Sequence, residues 1–471
     1  MQDMTLREFI EAVKGNLPYS PNGQQASVIE ALARFCAASS PTDSVFLLNG
    51  YAGTGKTSLT GALVKALRQA ERQVVLMAPT GRAAKVFSLA ADYPAYTIHR
   101  RIYRGAPGMD FFMLARNEAA NTVYIVDEAS MIGNSPEGEV GRSLLEDLVE
   151  YVFTGENSRL ILLGDTAQLP PVESEHSPAL QPESYKRLGL RVSRAVLTEI
   201  ARQGHHSGIL RNATWLRRAM LLKELPMPRL FVEDMNDVAV TDGNDVADVV
   251  GALYGRDGAD ETVVVTRSNR RAREFNLGIR SRILDCEEEL VKGERLLVAR
   301  NNYMWSSRVK ELDFIANGDV AIVTAIHSTE QRYGFRFAWV SLHLPDRDVD
   351  LECRIFLNTL TDDSASITYE DMERLAQARM ADPEANPEGS TPEQRLRRLR
   401  TDEYFNALQV KYAYAMTCHK AQGAQWKNVI IDLGGIAPEG QTLEFYRWLY
   451  TATTRATERL FYLNPDENMV H

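Results

Sequence analysis

The stretch VFLLNGYAGTGKTSLTGALVKALRQA, at residues 45–70, decides the fold. VFLL is a short apolar run typical of a buried strand, and SLTGALVKALRQA has the composition of a helix. Between them, GYAGTGKT (residues 50–57) matches the phosphate-binding pattern G-x-x-x-x-G-K-[ST] at every fixed position. The glycines let backbone N–H groups converge on phosphate oxygens at the N-terminus of a helix. The stretch therefore predicts a nucleotide-binding α/β layer.

The loop also supplies the side chains that such a site needs. Lys56 can reach the β- and γ-phosphates of ATP, and the Thr57 hydroxyl can ligate the accompanying Mg²⁺. A chance glycine turn is the alternative, and the flanking strand and helix argue against it. The predicted nucleotide contacts in the loop are Gly50, Ala52, Gly53, Thr54, Gly55, Lys56, Thr57 and Ser58.

Two further strand ends carry the groups that hydrolysis requires. VYIVDEAS (residues 123–130) places Asp127 and Glu128 after a buried strand. Asp127 suits the Mg²⁺ shell, and Glu128 suits the general base that polarises the attacking water. LLGDTAQLPPV (residues 162–172) places Asp165 and Gln168 after another strand, and Gln168 can bond the γ-phosphate or the water. Because parallel strands end at one edge of a sheet, these residues predict a single ATP hydrolysis site.

The remaining pattern predicts two parallel sheets with an insertion in the second. Apolar runs that read as buried strands fall into two groups, residues 45–48, 74–78, 123–126 and 160–163, and residues 262–266, 412–416, 429–432 and 459–463. Residues 314–357 alternate β-formers around an Asn317-Gly318 turn, which predicts a small antiparallel barrel or sheet. Residues 362–407 are charged and helix-prone, and they predict a helical hairpin, with a disordered acidic insertion as the alternative.

Composition restricts the class of protein. The chain has 471 residues and a net charge of −10, which lowers the expectation of a nucleic-acid partner but leaves room for a local basic groove. Its 4 cysteines are far apart, which favours buried thiols over a disulfide framework or a zinc site. No secretory pattern and no apolar run of ~20 residues is present, so we expect a cytoplasmic protein without membrane contact.

A set of motifs together resembles the superfamily 1B helicases of the RecD/Dda type. They stand in the family's order and touch both strand groups: GYAGTGKT, APTGRAAKV (78–86), TIHR (97–100), VDEAS (126–130), GDTAQLPPV (164–172), LTEIARQ (197–203), TRSNRRAREFN (266–276), TCHKAQG (417–423) and YTATTRA (450–456). The resemblance implies two RecA-like domains that clasp ATP, at residues 1–200 and at residues 201–300 with 408–471. It also implies a pin insertion at about residues 100–121 and, at residues 301–407, an SH3-like barrel followed by a charged helical hairpin.

The resemblance also implies roles for residues outside the phosphate loop. Arg455 and Arg202 would reach across the cleft to the transferring phosphoryl group, although a surface salt bridge is the alternative for Arg202. Gln24 would read the adenine, and the adjacent Gln25 leaves the register of that contact open. Gln422 and Gly423 would contact the nucleotide, and their motif TCHKAQG would join the ATP cleft to the nucleic-acid track. One departure is that Ala424 and Gln425 stand where the family often has a glutamate near the ribose.

The implied track binds a single strand through groups that do not read bases. The predicted contacts are Pro79, Thr80, Gly81, Arg82, His99, Thr417, His419 and Lys420, with ordinary core histidines as the alternative for His99 and His419. Phe111 or Phe112 would stack on the terminal base pair of a duplex, unless both form the core of the pin. The implied partners are single-stranded and forked DNA, while protein partners stay unassigned.

Three functions are therefore consistent with the sequence. The leading prediction is an ATP-dependent helicase that travels 5′-to-3′ on single-stranded DNA, and the direction comes from the resemblance alone. A translocase that displaces proteins or acts on RNA is the second. An ATPase subunit of a larger DNA-processing complex is the third, although the intact Lys56, Glu128 and Arg455 count against an inactive ATPase.

Overall fold

The computed structural model describes residues 4–37, 41–105, 112–134, 142–172, 174–200, 207–309, 312, 314–435 and 442–471, with the backbone alone for Phe112. The elements of its N-terminal part are α1 (Leu6–Gly15), α2 (Gly23–Cys36), β1 (Ser44–Gly50), α3 (Lys56–Gln69), β2 (Gln73–Ala78), α4 (Gly81–Ala91), β3 (Ala95–Thr97), α5 (Ile98–Ile102), β4 (Tyr103–Gly105), β5 (Phe112–Leu114), β6 (Thr122–Val126), α6 (Leu144–Thr154), β7 (Arg159–Gly164), α7 (Pro182–Lys186) and β8 (Arg191–Leu197).

These elements form the first lobe around a parallel sheet. The strand order is β3-β2-β6-β7-β1-β8, and every neighbouring pair is parallel. Alternate residues of β1 enter two different cores, with Phe46 and Leu48 in one and Val45 and Leu47 in the other. Both faces of the strand are therefore covered, which explains why VFLL lacks polar alternation.

The rest of the chain forms a second sheet and a barrel. Its elements are α8 (Gly208–Ala219), β9 (Val238–Thr241), α9 (Val246–Asp257), β10 (Thr262–Thr266), α10 (Asn269–Arg282), β11 (Arg295–Val298), β12 (Val320–Arg332), β13 (Phe335–Leu344), β14 (Val349–Phe356), α11 (Asn358–Thr361), α12 (Tyr369–Ala381), α13 (Pro392–Leu399), β15 (Leu408–Tyr412), β16 (Ala415–Thr417), α14 (Cys418–Ala421), β17 (Trp426–Asp432), α15 (Leu443–Thr453) and β18 (Ala456–Leu463). The second lobe is the parallel sheet β16-β10-β17-β18-β9 with its helices.

A closed barrel of β11 to β15 is continuous with the core of the second lobe. One predicted strand, residues 412–416, is wrong, because Tyr412 ends β15 in the barrel whereas Ala415 begins β16 in the sheet. Between them the Asn276 side chain accepts hydrogen bonds from Tyr414 N (3.0 Å) and Ala415 N (2.8 Å). Tyr412 and Tyr414 share one apolar core, so the crossing leaves no polar break in the sequence.

The insertion at residues 301–407, which lies between β11 and β15, has the predicted components. Antiparallel β12, β13 and β14 supply most of the barrel, while β11 and β15 lie on either side of residues 301–407 and close it. Helices α12 and α13 contact each other as the predicted hairpin. The predicted fold class is thus confirmed, while the division into domains at stated residues stays a prediction.

The predicted pin begins as a small antiparallel hairpin. Strands β4 and β5 pair from Tyr103 with Leu114 to Gly105 with Phe112. Phe111 and the side chain of Phe112 lie outside the described residues, so the wedge stays a prediction. No helix of the described residues has the length and apolar character that a membrane span requires.

Candidate functional site

The phosphate loop connects β1 to α3 in a left-handed turn. Gly53 has φ +77° and Gly55 has φ +82°, a region that glycine enters without steric cost. A Cβ atom at Gly50 would lie 2.8 Å from the Lys56 side chain, which accounts for the first glycine of the motif. Lys56 Nζ donates to Gly50 O at 2.6 Å and to Tyr51 O at 3.0 Å. The Lys56 side chain is therefore folded over the loop that is predicted to bind the phosphates.

The two adjacent glutamines of α2 have different contacts. Gln25 is buried, and its Nε2 donates to Thr54 O at 3.0 Å, so it supports the phosphate loop from behind. Gln24 is bonded to the segment after β8, where its Oε1 accepts from Thr198 N (2.9 Å) and Glu199 N (3.1 Å). The adenine contact of Gln24 stays a prediction, and its amide is already engaged with the LTEIARQ motif.

The two predicted carboxylates lie directly after β6. Asp127 N donates to Met77 O at 3.0 Å, and Glu128 N donates to Asp127 Oδ1 at 2.8 Å. Glu128 has φ +51°, a left-handed conformation that is uncommon for a residue with a side chain. Burial and the neighbouring Glu128 carboxylate raise the pKa of Asp127 to about 7. A desolvated carboxylate beside a second one binds a cation favourably, because the cation offsets both effects.

Gln168 brings an unsatisfied acceptor to the same sheet edge. Its side chain is 9% exposed, and its Oε1 meets no hydrogen-bond partner among the described residues. Gln168 N donates to Asp165 O at 3.1 Å, which fixes the loop that presents it. A buried acceptor without a partner favours a donor from water or ligand.

Loops of the first lobe and helices of the second meet at a contact that we call the seam. Its first-lobe part is residues 50–57 and 164–172, and its second-lobe part is α8, α14 and α15. Leu169 N donates to Thr451 Oγ1 at 2.9 Å, and Gln422 Nε2 donates to Leu169 O at 2.8 Å. The segment after Gln168 is thereby bonded to two motifs of the second lobe.

A buried cluster at the seam was not predicted from the sequence. Asp165 accepts from the Tyr450 hydroxyl at 2.5 Å on Oδ2 and pairs with the Arg217 guanidinium on Oδ1. The Tyr450 oxygen in turn accepts from Ala52 N at 3.0 Å. Arg217 stands beside Arg218 in WLRRA, and a single sequence offers no signal that separates the buried arginine from the exposed one.

The two predicted trans-acting arginines have different outcomes. Arg455 is 3% exposed and donates to Thr451 O (3.0 Å), Ala424 O (3.1 Å) and Thr454 Oγ1 (3.1 Å). All three partners belong to the second lobe, so in this conformation Arg455 is held within its own lobe. Its contact with a nucleotide stays a prediction that requires an exchange of partners, and Arg202 lies outside the described residues.

The predicted strand-binding motifs of the two lobes touch each other. Gly423 has φ +71°, and a Cβ atom there would lie 3.0 Å from Ala83 Cβ and 3.3 Å from Thr80 Oγ1. Arg82 stacks on the Trp426 ring at 4.0 Å and donates to Gln425 O at 3.2 Å. The APTGRAAKV and TCHKAQG motifs therefore form one continuous surface across the lobes. We call these two motifs, together with TIHR, the track face.

The polar groups of TCHKAQG are partly withdrawn from solvent. Burial lowers the pKa of His419, and burial also lowers the pKa of Lys420. A neutral imidazole can donate one hydrogen bond without adding charge. A neutral His419 therefore suits a contact with a sugar or phosphate that does not depend on the base sequence. The roles of Thr417, His419 and Lys420 stay predictions.

Loops of the barrel contact the first-lobe part of the track face. Lys85 Nζ donates to Pro345 O at 2.8 Å and lies 3.4 Å from Asp346 Oδ1. A Cβ atom at Gly81 would lie 3.0 Å from Asp319 Oδ1, and the His99 ring lies 5.5 Å from the Phe314 ring. Sequence reasoning placed the barrel in the chain but did not predict that it packs against these residues.

Comparison with known proteins gives matches on both lobes. Residues 21–225 match the model of an AAA domain, and residues 412–462 match that of a UvrD-like helicase C-terminal domain. An ATP-dependent RecD2 DNA helicase from Deinococcus radiodurans is 34% identical over 151 residues, which are 32% of this chain and 18% of that protein. DNA helicase B from Mus musculus is 27% identical over 188 residues, which are 31% of this chain and 16% of that protein. The chain thus matches less than a fifth of either relative.

Among solved structures, a Pif1 helicase from Bacteroides in complex with ADP-AlF3 and single-stranded DNA aligns over most of both chains. The alignment covers 96% of this chain and 94% of that chain, with a TM-score of 0.46 and 14% sequence identity. The Pif1 helicase from Candida albicans aligns with a TM-score of 0.45 and 17% identity, over 96% of each chain.

Proposed function

We propose that this chain, a member of the superfamily 1B helicases of the RecD type, is an ATP-driven motor that moves 5′-to-3′ along single-stranded DNA and unwinds duplex. The observation that carries the proposal is the position of TCHKAQG between two sites. Gln422 is bonded to Leu169 beside the nucleotide residues, and Gly423 packs on Thr80 and Ala83 of the track face. A movement at the seam is therefore transmitted to the track face through Gln422 and Gly423, which are adjacent residues of one motif.

The nucleotide residues fit a magnesium–ATP complex. The loop has the glycines and the lysine of a phosphate cradle, and the crowded Asp127 carboxylate favours a cation. Asp127 and Thr57 would hold Mg²⁺, because one or two oxygen ligands from the protein suffice when phosphates supply others. The ion, when bound, offsets negative charge on the phosphates.

The side chains of this chain then have separable tasks. Lys56 exchanges the carbonyls of Gly50 and Tyr51 for phosphate oxygens. Glu128 accepts a proton from the attacking water, and the free Oε1 of Gln168 accepts a hydrogen bond that orients this water. Arg455 would leave Ala424 O and turn towards the γ-phosphate when the nucleotide binds, and Arg202 would assist it.

Movement follows from alternating contact on the two lobes. TCHKAQG and APTGRAAKV are in contact while the seam is closed, and product release would let the two motifs separate until the next ATP closes the seam again. Single-stranded DNA that is held by hydroxyl, amide and imidazole groups on both lobes is then advanced without base recognition. The acidic total charge does not oppose this, because the contacts are local.

Forked DNA with either a 5′ or a 3′ single-stranded tail tests the proposal. We expect ATP-dependent unwinding from the 5′ tail alone, and ATP hydrolysis that single-stranded DNA stimulates. Lys56→Ala should abolish turnover and keep single-strand binding, because the lysine acts on phosphate. Lys65→Ala is the matched control, since Lys65 lies on the same helix and pairs with Asp92 on the surface.

Each other outcome identifies an alternative. DNA-stimulated ATP hydrolysis without strand separation indicates a translocase, and stimulation by RNA alone indicates an RNA motor. Unwinding from the 3′ tail contradicts the proposed direction. Activity that appears only with a second protein indicates a subunit of a larger complex.

A further inference from the structure

We propose that Tyr450 is a positioning residue for ATP turnover, because its hydroxyl couples the phosphate loop and Lys56 to the second lobe. The proposal rests on the proposed function of the same site and deepens it. Tyr450 lies on α15, five residues before Arg455 in the YTATTRA motif. Neither the motif pattern nor the spacing of residues assigned it a role.

The Tyr450 hydroxyl holds two groups of the first lobe at once. Its proton goes to Asp165 Oδ2 at 2.5 Å, and its oxygen accepts from Ala52 N at 3.0 Å. Tyr450 is 1% exposed and Asp165 is 2% exposed. Burial and the nearby Asp165 carboxylate raise the pKa of Tyr450 well above its usual value, so the phenol keeps its proton. The hydroxyl is therefore available as the donor to Asp165.

One peptide unit links this hydroxyl to the lysine. The Tyr51–Ala52 peptide donates its N–H to Tyr450, and its carbonyl oxygen accepts from Lys56 Nζ at 3.0 Å. The same carbonyl accepts from Thr54 Oγ1 at 2.8 Å. Because a peptide group is planar, its N–H and C=O turn together. A shift of Tyr450 at the seam therefore changes the orientation of the carbonyl that holds the lysine.

Arg217 strengthens the same connection from a second helix. Its guanidinium pairs with Asp165 and lies over the Tyr51 ring, 3.6 Å from the centroid. Helices α8 and α15 pack together through Trp215 and Tyr446, so Arg217 and Tyr450 move as parts of one lobe. Through these two residues the second lobe thus contacts the side chain of Tyr51 and the backbone of Ala52.

The coupling gives the phosphate loop a way to respond to domain closure. When the lobes separate, the Ala52–Tyr450 bond breaks and the 51–52 peptide is free to turn. When they close, the bond forms and fixes the Tyr51 carbonyl that holds the Lys56 ammonium group before phosphate binds. Tyr450 therefore acts on the reaction through the peptide and the lysine.

Tyr450→Phe tests this with Tyr446→Phe as its control. Both tyrosines lie on α15 and are buried, but the Tyr446 hydroxyl donates to Pro226 O, away from the seam. Each variant loses one phenol hydroxyl, but Tyr450→Phe leaves two partners without a bond and Tyr446→Phe leaves one, so we expect the larger fall in melting temperature for Tyr450→Phe. Only Tyr450→Phe should lower kcat for ATP, by about tenfold, and raise KM, because one buried hydrogen-bond junction is lost.

A second readout separates this proposal from the proposed function. The rise in melting temperature on adding Mg²⁺ with a non-hydrolysable ATP analogue reports nucleotide binding without turnover. We expect a smaller rise for Tyr450→Phe than for Tyr446→Phe. If the unmodified protein shows no DNA-stimulated ATP hydrolysis, the proposed function fails, and this binding comparison still decides the role of Tyr450.

Equal kcat, KM and nucleotide-induced stabilisation in the two variants would overturn the proposal. If Tyr450→Phe does not fold, Arg217→Lys replaces it, because lysine keeps a charge beside Asp165 and loses the planar stack on Tyr51. Arg218→Lys, at the exposed neighbouring position, is its control. A reduced kcat in Arg217→Lys alone supports the coupling, and unchanged kinetics in both variants refute it.

Discussion

The seam and the track face both join other parts of the chain to the first lobe, but they use different interactions. At the seam, Tyr450 and Asp165 are almost fully buried and meet backbone groups in fixed directions. On the track face, Lys85 and Asp346 meet with side chains that are 42% and 18% exposed. Buried polar contacts are costly to break unpaired, whereas exposed ion pairs contribute little and are screened by salt. The seam is therefore built for positioning, and the track face is built for exchange of partners.

The largest expected effect is at Glu128, the proposed general base, which lies outside the seam on the same edge of the first-lobe sheet. Glu128→Gln keeps the shape of the side chain and removes the proposed base, so kcat for ATP should fall by about a hundredfold or more. Binding of a non-hydrolysable analogue should persist, because this substitution leaves the phosphate loop intact. Glu118→Gln, at an exposed site of the same lobe, should retain the original kcat. Turnover at the original rate in Glu128→Gln would assign the base to another residue.

A smaller effect is expected where the two regions connect. Gly423→Ala places a side chain at φ +71° and 3.0 Å from Ala83 Cβ, so TCHKAQG and APTGRAAKV must move apart. The backbone conformation alone costs about 1–2 kcal/mol for a residue with a Cβ atom. We expect the stimulation of ATP hydrolysis by single-stranded DNA to fall roughly tenfold, which corresponds to about 1.4 kcal/mol.

Gly435→Ala is the matched control for this variant. Gly435 has φ +75°, and a Cβ atom there would meet nothing within 4 Å. The two substitutions share the backbone strain and differ in the contact with the first lobe. Equal losses of DNA stimulation in both would mean that strain, rather than the contact between the motifs, accounts for the effect.

The same contrast explains which features the sequence could predict. Gly50, Lys56 and Asp127 are local signals, because a turn or a strand end places each of them by itself. The Arg217–Asp165 pair joins residues 52 positions apart on different lobes, so it depends on packing that no local pattern encodes. The strand predicted at residues 412–416 failed for a related reason, since two sheets share one core there. The contact of the barrel with Gly81 likewise depends on how the barrel packs against the first lobe, which no local pattern encodes.

The smallest expected effect concerns the exposed contact on the track face. Asp346→Asn removes the negative charge beside Lys85, which leaves the lysine more available to a phosphate of single-stranded DNA. We expect affinity for single-stranded DNA to rise about two- to threefold at low salt, as befits an exposed ion pair, and the gain should shrink as salt screens it. Asp348→Asn changes the same charge in the same turn, and at φ +52° asparagine is readily accommodated. A gain in Asp346→Asn beyond that of Asp348→Asn means that the barrel loop competes with DNA for Lys85, because the shared loss of charge cancels in the comparison. Equal gains in affinity in the two variants would mean that the loss of one negative charge explains the effect. The contact between Lys85 and Asp346 would then not compete with DNA.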